Sequence, residues 1–463
     1  MSAAEPKIPG QIFREYDIRG LVDVDLTDEV VELLGRGLGT LIRRQGGTRL
    51  ALGRDCRESS TRFREHLARG LTSTGVHVWD VGVVPSPLVY FAAHTLPVDG
   101  LAMITGSHNP PEYNGFKIGA GKTTFHGPEI QALRRLIETQ DFVVAERPGV
   151  VEPFDIITPY NHFLRQTVKV GRKGMKVVVD AGNGVGGHVA VPLLQAMGFD
   201  VVPLYCEMDA TFPNHHPDPT VVENLTDLIA AVKREGAEVG IAYDGDADRI
   251  GVVDDRGTIL WGDQLMVLFS RAVLEAAPGA TIVGEVKCSD TLYDDIRAKG
   301  GRPIMWKAGH SLIKAKMKET GAELAGEMSG HIFFKHRYFG FDDAIYSTVR
   351  LLEILTHRDQ PLSALLADVP RTWSSPELRV DTVEEKKFEL VRRCTEHFRA
   401  EGRELVDVDG VRVRIADGWG LIRASNTQPI LVLRYEAATE AGLAEIRSVI
   451  ERTVETQRQA LGA

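Results

Sequence analysis

Met175-Lys176-Val177-Val178-Val179-Asp180 is a short apolar run that stops at a carboxylate, and the glycine-rich segment Ala181 to Gly187 follows at once. The run reads as a buried strand and the glycines as its exit loop. His188 to Met197 then has the pattern of a helix, and Gly198-Phe199-Asp200-Val201-Val202 returns as a strand, which completes a β-α-β unit. The same layout occurs twice more. Leu50-Ala51-Leu52-Gly53-Arg54-Asp55 predicts a strand, Ser60 stands where it can cap a helix to about Leu71, and Gly75-Val76-His77-Val78-Trp79-Asp80 predicts the next strand. Thr281-Ile282-Val283-Gly284-Glu285-Val286 begins the third unit, with Ser289 as cap of a helix through Ala298 and extension resuming over Gly300 to Trp306.

Each unit is followed by a further apolar run that ends in a polar loop: Leu101 to Ile104 before Ser107, Val239 to Tyr243 before Asp244, and Leu324-Ala325 before Gly326-Glu327-Met328-Ser329-Gly330-His331. The starts at Leu50, Lys176 and Thr281 lie about 105 to 125 residues apart, the spacing of an internal triplication. Ligands of α/β sheets gather outside the carboxyl ends of the strands, so all three polar loops are expected to face one cleft.

After about Pro370 the pattern changes. Glu377 to Asp381 predicts a strand and Glu385 to Ala400 a helix; Val411 to Ile415 and Ile430 to Tyr435 predict strands on either side of a glycine-tryptophan turn, before a last helix from about Glu440 to Arg458. The expectation is an α/β protein of three similar α/β domains with mixed sheets, 1–154, 155–258 and 259–370, plus a smaller C-terminal α+β domain, 371–463, around one central cleft. A chain of 463 residues is long enough for several such domains.

Composition narrows the function classes. A net charge of -10 argues against a broad nucleic-acid surface, although arginines can still gather locally. The four cysteines, Cys56, Cys206, Cys288 and Cys394, form no C-x-x-C pair, which predicts reduced thiols in a cytosolic protein. No stretch approaches the roughly 18 apolar residues of a membrane span, and the N-terminus has no apolar leader. The expected location is cytoplasmic and the expected state a monomer, with no nucleic-acid or membrane partner.

The loops carry the chemistry. In Thr105-Gly106-Ser107-His108-Asn109-Pro110, Gly106 permits a sharp turn or a close approach, His108 sets a proton-handling group beside the hydroxyl, and Pro110 and Pro111 keep the segment from becoming helix. Such residues also make ordinary turns. Asp244-Gly245-Asp246-Ala247-Asp248-Arg249 is more telling: if the segment is extended, the three carboxylates project to one side while Gly245 and Ala247 keep the other side small. Converging carboxylates repel one another, and a hard divalent cation relieves them. An EF-hand fails at its sixth position, where Arg249 replaces glycine, and a phosphatase Asp-x-Asp-x-Thr/Val nucleophile fails at Asp248. A solvated acidic turn is the bland alternative. With phosphate on Ser107, the hydroxyl, the cation and Arg249 would form one phosphoryl-transfer centre. Glu327 and Ser329 offer an acceptor and a donor to sugar hydroxyls, and Arg423-Ala424-Ser425-Asn426-Thr427 is either a phosphate cradle or an exposed turn. In Phe13 to Gly20, an edge-strand pattern, Arg14 or Arg19 can reach an anionic ligand. His215 and His216 sit between Pro213 and Pro217, where a structured loop is the better reading than a metal site.

Taken together and in chain order, the loops Thr105 to Pro110, Asp244 to Arg249, Gly326 to His331 and Arg423 to Thr427 resemble the four signature loops of the α-D-phosphohexomutase family, and the similarity spans nearly the whole chain. The resemblance is strongest to its bacterial branch that takes both mannose and glucose phosphates. It implies an isomerase that interconverts hexose 1-phosphate and hexose 6-phosphate. It implies Ser107 as phosphoryl carrier, one Mg²⁺ per chain on Asp244, Asp246, Asp248 and a phosphoserine oxygen, and hexose 1,6-bisphosphate as activator and intermediate. It further implies Glu327 and Ser329 on the 3- and 4-hydroxyls, and Arg423, Ser425, Asn426 and Thr427 on phosphate. Tyr16, Arg19, His108, Lys117, Arg249, Lys287, His310 and His331 fall at other cleft positions, with proton transfer shared among Lys117, His310 and His331. Ala247 stands where some members have glycine. Two rivals remain: a phosphoglucosamine mutase, for which the residue before the serine and the Gly-Glu-Met-Ser-Gly-His loop should differ, and a non-catalytic sugar-phosphate sensor, which would not need Ser107 beside three aspartates.

Overall fold

In the computed structural model, which describes residues 8–426 and 428–462, four sheets follow one another along the chain. The first three share one plan. Arg49–Arg54, Lys176–Asp180 and Thr281–Glu285 each lie between two parallel neighbours: on one side His77–Val83, Asp200–Leu204 or Arg302–Trp306, on the other Gly100–Ile104, Val239–Tyr243 or Leu324–Gly326. An antiparallel strand then returns beside the last of these: Tyr113–Ala120, Ile250–Asp254 or Ile332–Phe334. The polar loop of each unit is the turn into that return strand. The triplication expected from spacing is therefore a triplication of topology, and each loop leaves the carboxyl end of a parallel strand, where α/β sheets present ligand sites.

Local chemistry sets the element ends. Thr27 caps Asp28–Arg44, which has acidic residues in its first turn and arginines in its last, each favourable to the helix dipole. Ser289 caps Asp290–Ala298 as predicted, accepting from the Thr291 amide. Ser60 does not cap. Asp55 Oδ1 accepts from the Arg57 amide at 3.0 Å, so the chain turns earlier, the helix begins at Glu58, and the buried Ser60 hydroxyl bonds back to Asp55.

The last sheet is antiparallel, with Gly418–Ala424 between Val411–Ile415 and Ile430–Ala437. The predicted glycine-tryptophan turn is thus a buried central strand. Its glycines serve packing: a Cβ on Gly420 would meet Ile450 at 2.5 Å, so the helix Glu440–Leu461 lies directly on that strand. One apolar core runs through the first three units, from Phe91 through Val177 and Phe269 to Leu352, whereas Leu390, Phe398, Leu433 and Ile450 belong to a separate core in the last.

Candidate active site

Ser107 follows the buried strand Gly100–Ile104 and has φ of 48°, a left-handed conformation uncommon outside glycine. Its amide donates to Thr105 Oγ1 at 2.8 Å. The Ser107 hydroxyl donates to Asp244 Oδ2 at 2.9 Å and lies 3.1 Å from His108 Nδ1. Arg19, rather than Arg14, borders this loop: its guanidinium donates to Asn109 Oδ1 at 2.8 Å and is paired with Asp17. The close approach expected at Gly106 is to protein, since a Cβ there would stand 2.4 Å from the Arg57 guanidinium.

The aspartates converge, but not on an extended segment. The Ala247 amide donates to Asp244 O at 3.0 Å and Ala247 has φ of 54°, so a tight turn gathers what side-chain alternation was expected to gather. A left-handed residue is a natural place for the glycine expected in other members. Asp244, Asp246 and Asp248 are buried, with one carboxylate oxygen from each inside a 4.8 Å cluster. Gly245 lets this loop meet the serine loop, because a Cβ there would lie 2.4 Å from Ser107 O. The Lys117 ammonium lies 2.6 Å from Asp246 Oδ2 and also bonds Asp248. Burial opposes its charge, but the two carboxylates outweigh that and raise its pKa. Burial and the Asp248 and Asp246 carboxylates push the Asp244 pKa well above the usual carboxylate range, so the repulsion is not fully relieved by the cations nearby, and Asp246 Oδ1 is buried with no hydrogen-bond partner among the described residues. An oxygen-only acidic set with an orphaned carboxylate oxygen suits a hard divalent cation.

The third loop closes the other side. Glu327 Oε1 accepts from the Gly309 amide at 2.6 Å, and Glu327 Oε2 lies 2.9 Å from His331 Nδ1. His331 Nε2 lies 3.3 Å from Asp248 Oδ1 and 3.3 Å from Arg249 Nε, and Ser329 Oγ is 3.2 Å from His331 Nδ1. Burial disfavours the imidazolium, yet Asp248 and Glu327 prevail and lift the His331 pKa to about 9. His310 goes the other way: burial beside Lys314 and Lys117 holds it well below the usual histidine range. His108 is also held neutral, by burial beside Arg249 and Arg19.

From the last unit, Arg423 pairs with Asp409 at 3.1 Å, the Gln428 amide donates to Ser425 Oγ, and Asn426 reaches Tyr16. Thr427 lies outside the described residues. Lys287 is 3.1 Å from Glu377, which ties the third unit to the last. His215 is bonded to Asp180 and to the His216 carbonyl, and neither histidine belongs to a candidate metal group among the described residues. All four cysteines are free thiols, as expected.

Several residues at the site had not been expected there. Ser86 donates to Asp246 Oδ2, Asp409 holds Arg423, and Arg57 underlies the serine loop. Only Arg57 had a local signal, the Asp55-x-Arg57 pattern at the end of a parallel strand.

Comparison with known proteins follows this order of units. The sequence matches the phosphoglucomutase/phosphomannomutase alpha/beta/alpha domain I over residues 10–144, domain II over 158–257, domain III over 261–373 and the C-terminal domain over 377–453. It is 49% identical to a phosphomannomutase/phosphoglucomutase of Pseudomonas aeruginosa, over 97% of this chain and 96% of that one. Identity to a phosphoglucomutase of Neisseria meningitidis is 46%, over 97% and 98%. A crystal structure of a phosphoglucomutase/phosphomannomutase family protein from Burkholderia thailandensis superposes with a TM-score of 0.92 at 44% identity, covering 98% of each chain. With four successive domain matches, full-length relatives and one shared architecture, the chain belongs to the phosphoglucomutase/phosphomannomutase family.

Proposed function

We propose that this protein interconverts the 1- and 6-phosphates of mannose and glucose through a phosphorylated Ser107. The observation that carries the reading is the Ser107 hydroxyl, 2.9 Å from a carboxylate of the buried three-aspartate cluster and within reach of His108. A binding protein would not need a nucleophile against a candidate cation site.

Asp244, Asp246, Asp248 and a phosphoserine oxygen would hold Mg²⁺, which supplies charge compensation for the phosphoryl oxygens. The Oγ–P bond of phosphoserine breaks as a hydroxyl oxygen of the hexose phosphate bonds to phosphorus and loses its proton; the released Ser107 Oγ takes up a proton, giving hexose 1,6-bisphosphate and free Ser107. His310, held neutral, is in the state to accept the proton of the hexose hydroxyl; Lys117 stays charged beside the carboxylates. After the bisphosphate turns end for end, Ser107 Oγ loses its proton and bonds the phosphorus of the other phosphate, whose bond to the sugar oxygen breaks, and that product oxygen takes a proton. His331, charged at neutral pH, can give one or hold an oxyanion. Arg423, Ser425, Asn426 and Thr427 would grip the distal phosphate, with Lys287, Arg19 and Tyr16 completing the cleft. Glu327 and Ser329 would read the 3- and 4-hydroxyls, common to both sugars, which differ at C2. The separate core of the last unit lets it move as a body while the intermediate turns.

A coupled assay with Mg²⁺, catalytic hexose 1,6-bisphosphate and mannose, glucose or glucosamine 1-phosphate in parallel tests the reading on protein of known Ser107 phosphorylation. Comparable turnover of the first two is expected. Preference for the amino sugar, or no turnover by phosphorylated protein, overturns it.

A further inference from the structure

Beneath the serine loop lies a cation that the scheme above does not use. Arg57 is 2% exposed, and all five of its guanidinium N–H donors are taken. Nε donates to Asp55 Oδ2 at 3.1 Å; Nη1 donates to the carbonyls of Pro110 at 2.7 Å and Tyr113 at 3.1 Å; Nη2 donates to those of Ser107 at 2.9 Å and Asn109. Four of the five acceptors are thus backbone carbonyls, three of the serine loop and one of the first residue of the strand it leads into. A guanidinium is a rigid planar fork, so carbonyls that share it are fixed relative to one another.

Ser107 most needs that fixing. A left-handed non-glycine residue persists where its surroundings over-determine it, and Ser107 has φ of 48° with its carbonyl on Arg57 and its amide on Thr105. Asp55 completes the arrangement by taking the Gly106 amide at 3.0 Å with the same oxygen that pairs with Arg57. The Phe212 ring, from the second unit, lies 5.2 Å from the Arg57 Cζ. Gly106 presses on the guanidinium so closely that no side chain fits between them.

We infer that Arg57 is a positioning residue for phosphoryl transfer: it touches no reacting atom, but by drawing three loop carbonyls and that of Tyr113 onto one cation it sets the backbone of Ser107 so that Oγ points at the Asp244 carboxylate. The inference rests on Ser107 as the phosphoryl carrier. A misplacement of about 1 Å can lower a rate by roughly a hundredfold. Arg57→Lys keeps the charge and loses the fork, so kcat should fall about 30- to 100-fold with KM for the hexose phosphate within about threefold. Single-turnover transfer from glucose 1,6-bisphosphate to dephosphorylated enzyme should slow by the same factor. A second variant reaches the contact from its other side. Gly106→Ala retains Arg57 but pushes the guanidinium off the loop, and should give the same split between kcat and KM. Because both changes act through one contact, the double variant should be at most about threefold slower than Arg57→Lys alone.

The clamp is overturned if kcat per folded molecule is normal in both variants, if Gly106→Ala turns over like the unchanged protein, or if the two effects multiply. An unchanged protein without mutase turnover defeats the functional reading and the clamp with it; an active one with a fully active Gly106→Ala variant defeats the clamp alone.

Discussion

Tyr16 and Asn426 stand 410 positions apart in the chain, yet the Asn426 amide donates to the Tyr16 hydroxyl at 2.6 Å. The same hydroxyl donates to the Ala308 carbonyl at 3.1 Å, so one phenol joins the first, third and last units across the cleft. Gly309 makes room for it, since a Cβ there would lie 2.6 Å from the ring. Tyr16→Phe keeps the ring and removes both bonds. At about 1 kcal/mol for each, the closed arrangement should be disfavoured roughly thirtyfold against open ones. kcat/KM should fall by a similar factor and the radius of gyration by small-angle X-ray scattering should increase; unchanged values of both would show that the contact does not hold the units together.

Ser107→Ala removes the hydroxyl while leaving the aspartate turn in place. Turnover should drop to background and phosphate should no longer be incorporated on treatment with hexose 1,6-bisphosphate, by intact mass. Hexose phosphate affinity by calorimetry should stay within about threefold, because the residues proposed to hold the distal phosphate and the hydroxyls lie on other loops. Residual turnover near that of the unchanged protein would rule out the phosphoserine route.

Asp246 carries two burdens on one oxygen and none on the other: Oδ2 takes the Ser86 hydroxyl and the Lys117 ammonium, while Oδ1 has no hydrogen-bond partner among the described residues. Asp246→Asn leaves Lys117 paired with Asp248, so the fold should survive. The Mg²⁺ concentration for half-maximal activity should rise at least roughly tenfold, as expected when a hard cation loses a charged oxygen ligand. The measurement is a Mg²⁺ titration of initial rate, and an unchanged midpoint would move the cation elsewhere.

What could be read from the sequence follows a physical divide. Strands such as Lys176–Asp180 and Val239–Tyr243 announce themselves because both faces are buried, which forces an unbroken apolar run. The first return strand was hidden: Tyr113–Ala120 contains Asn114, Gly115 and Lys117, which are set by tertiary contacts rather than by strand propensity, Asn114 bonding Ser59 and Ser60, Gly115 admitting the Ile18 carbonyl and Lys117 reaching the aspartates. Gly418–Ala424 was read as a turn because glycines that admit a helix look the same in sequence as glycines that bend a chain. At the site, the carboxylates were legible as a set, but the left-handed Ala247 that gathers them was not. Ser86 and Asp409 gave no signal, since each meets its partner through the tertiary fold alone.

The last prediction concerns pH. Asp343 caps the helix Ala344–Thr356 by accepting the Tyr346 amide at 2.7 Å, and it also accepts the hydroxyls of Tyr160 at 2.9 Å and Tyr338 at 2.7 Å. Burial nonetheless pushes its pKa up from 3.8 to about 7, because those donors do not make up for the lost water. The folded state therefore holds this proton more tightly than the unfolded one. Its contribution to stability is full below about pH 4, is lost as pH rises toward 7, and is flat above. A shift of this size corresponds to about 4 kcal/mol at most. Asp343→Asn cannot ionise, and whatever it changes in packing is independent of pH. The melting temperature of the variant relative to the unchanged protein should therefore rise steadily between pH 5 and pH 7 and level off by pH 8. A difference that stays constant across that range would mean that Asp343 is ionised throughout and that its three donors, rather than its burial, set its state.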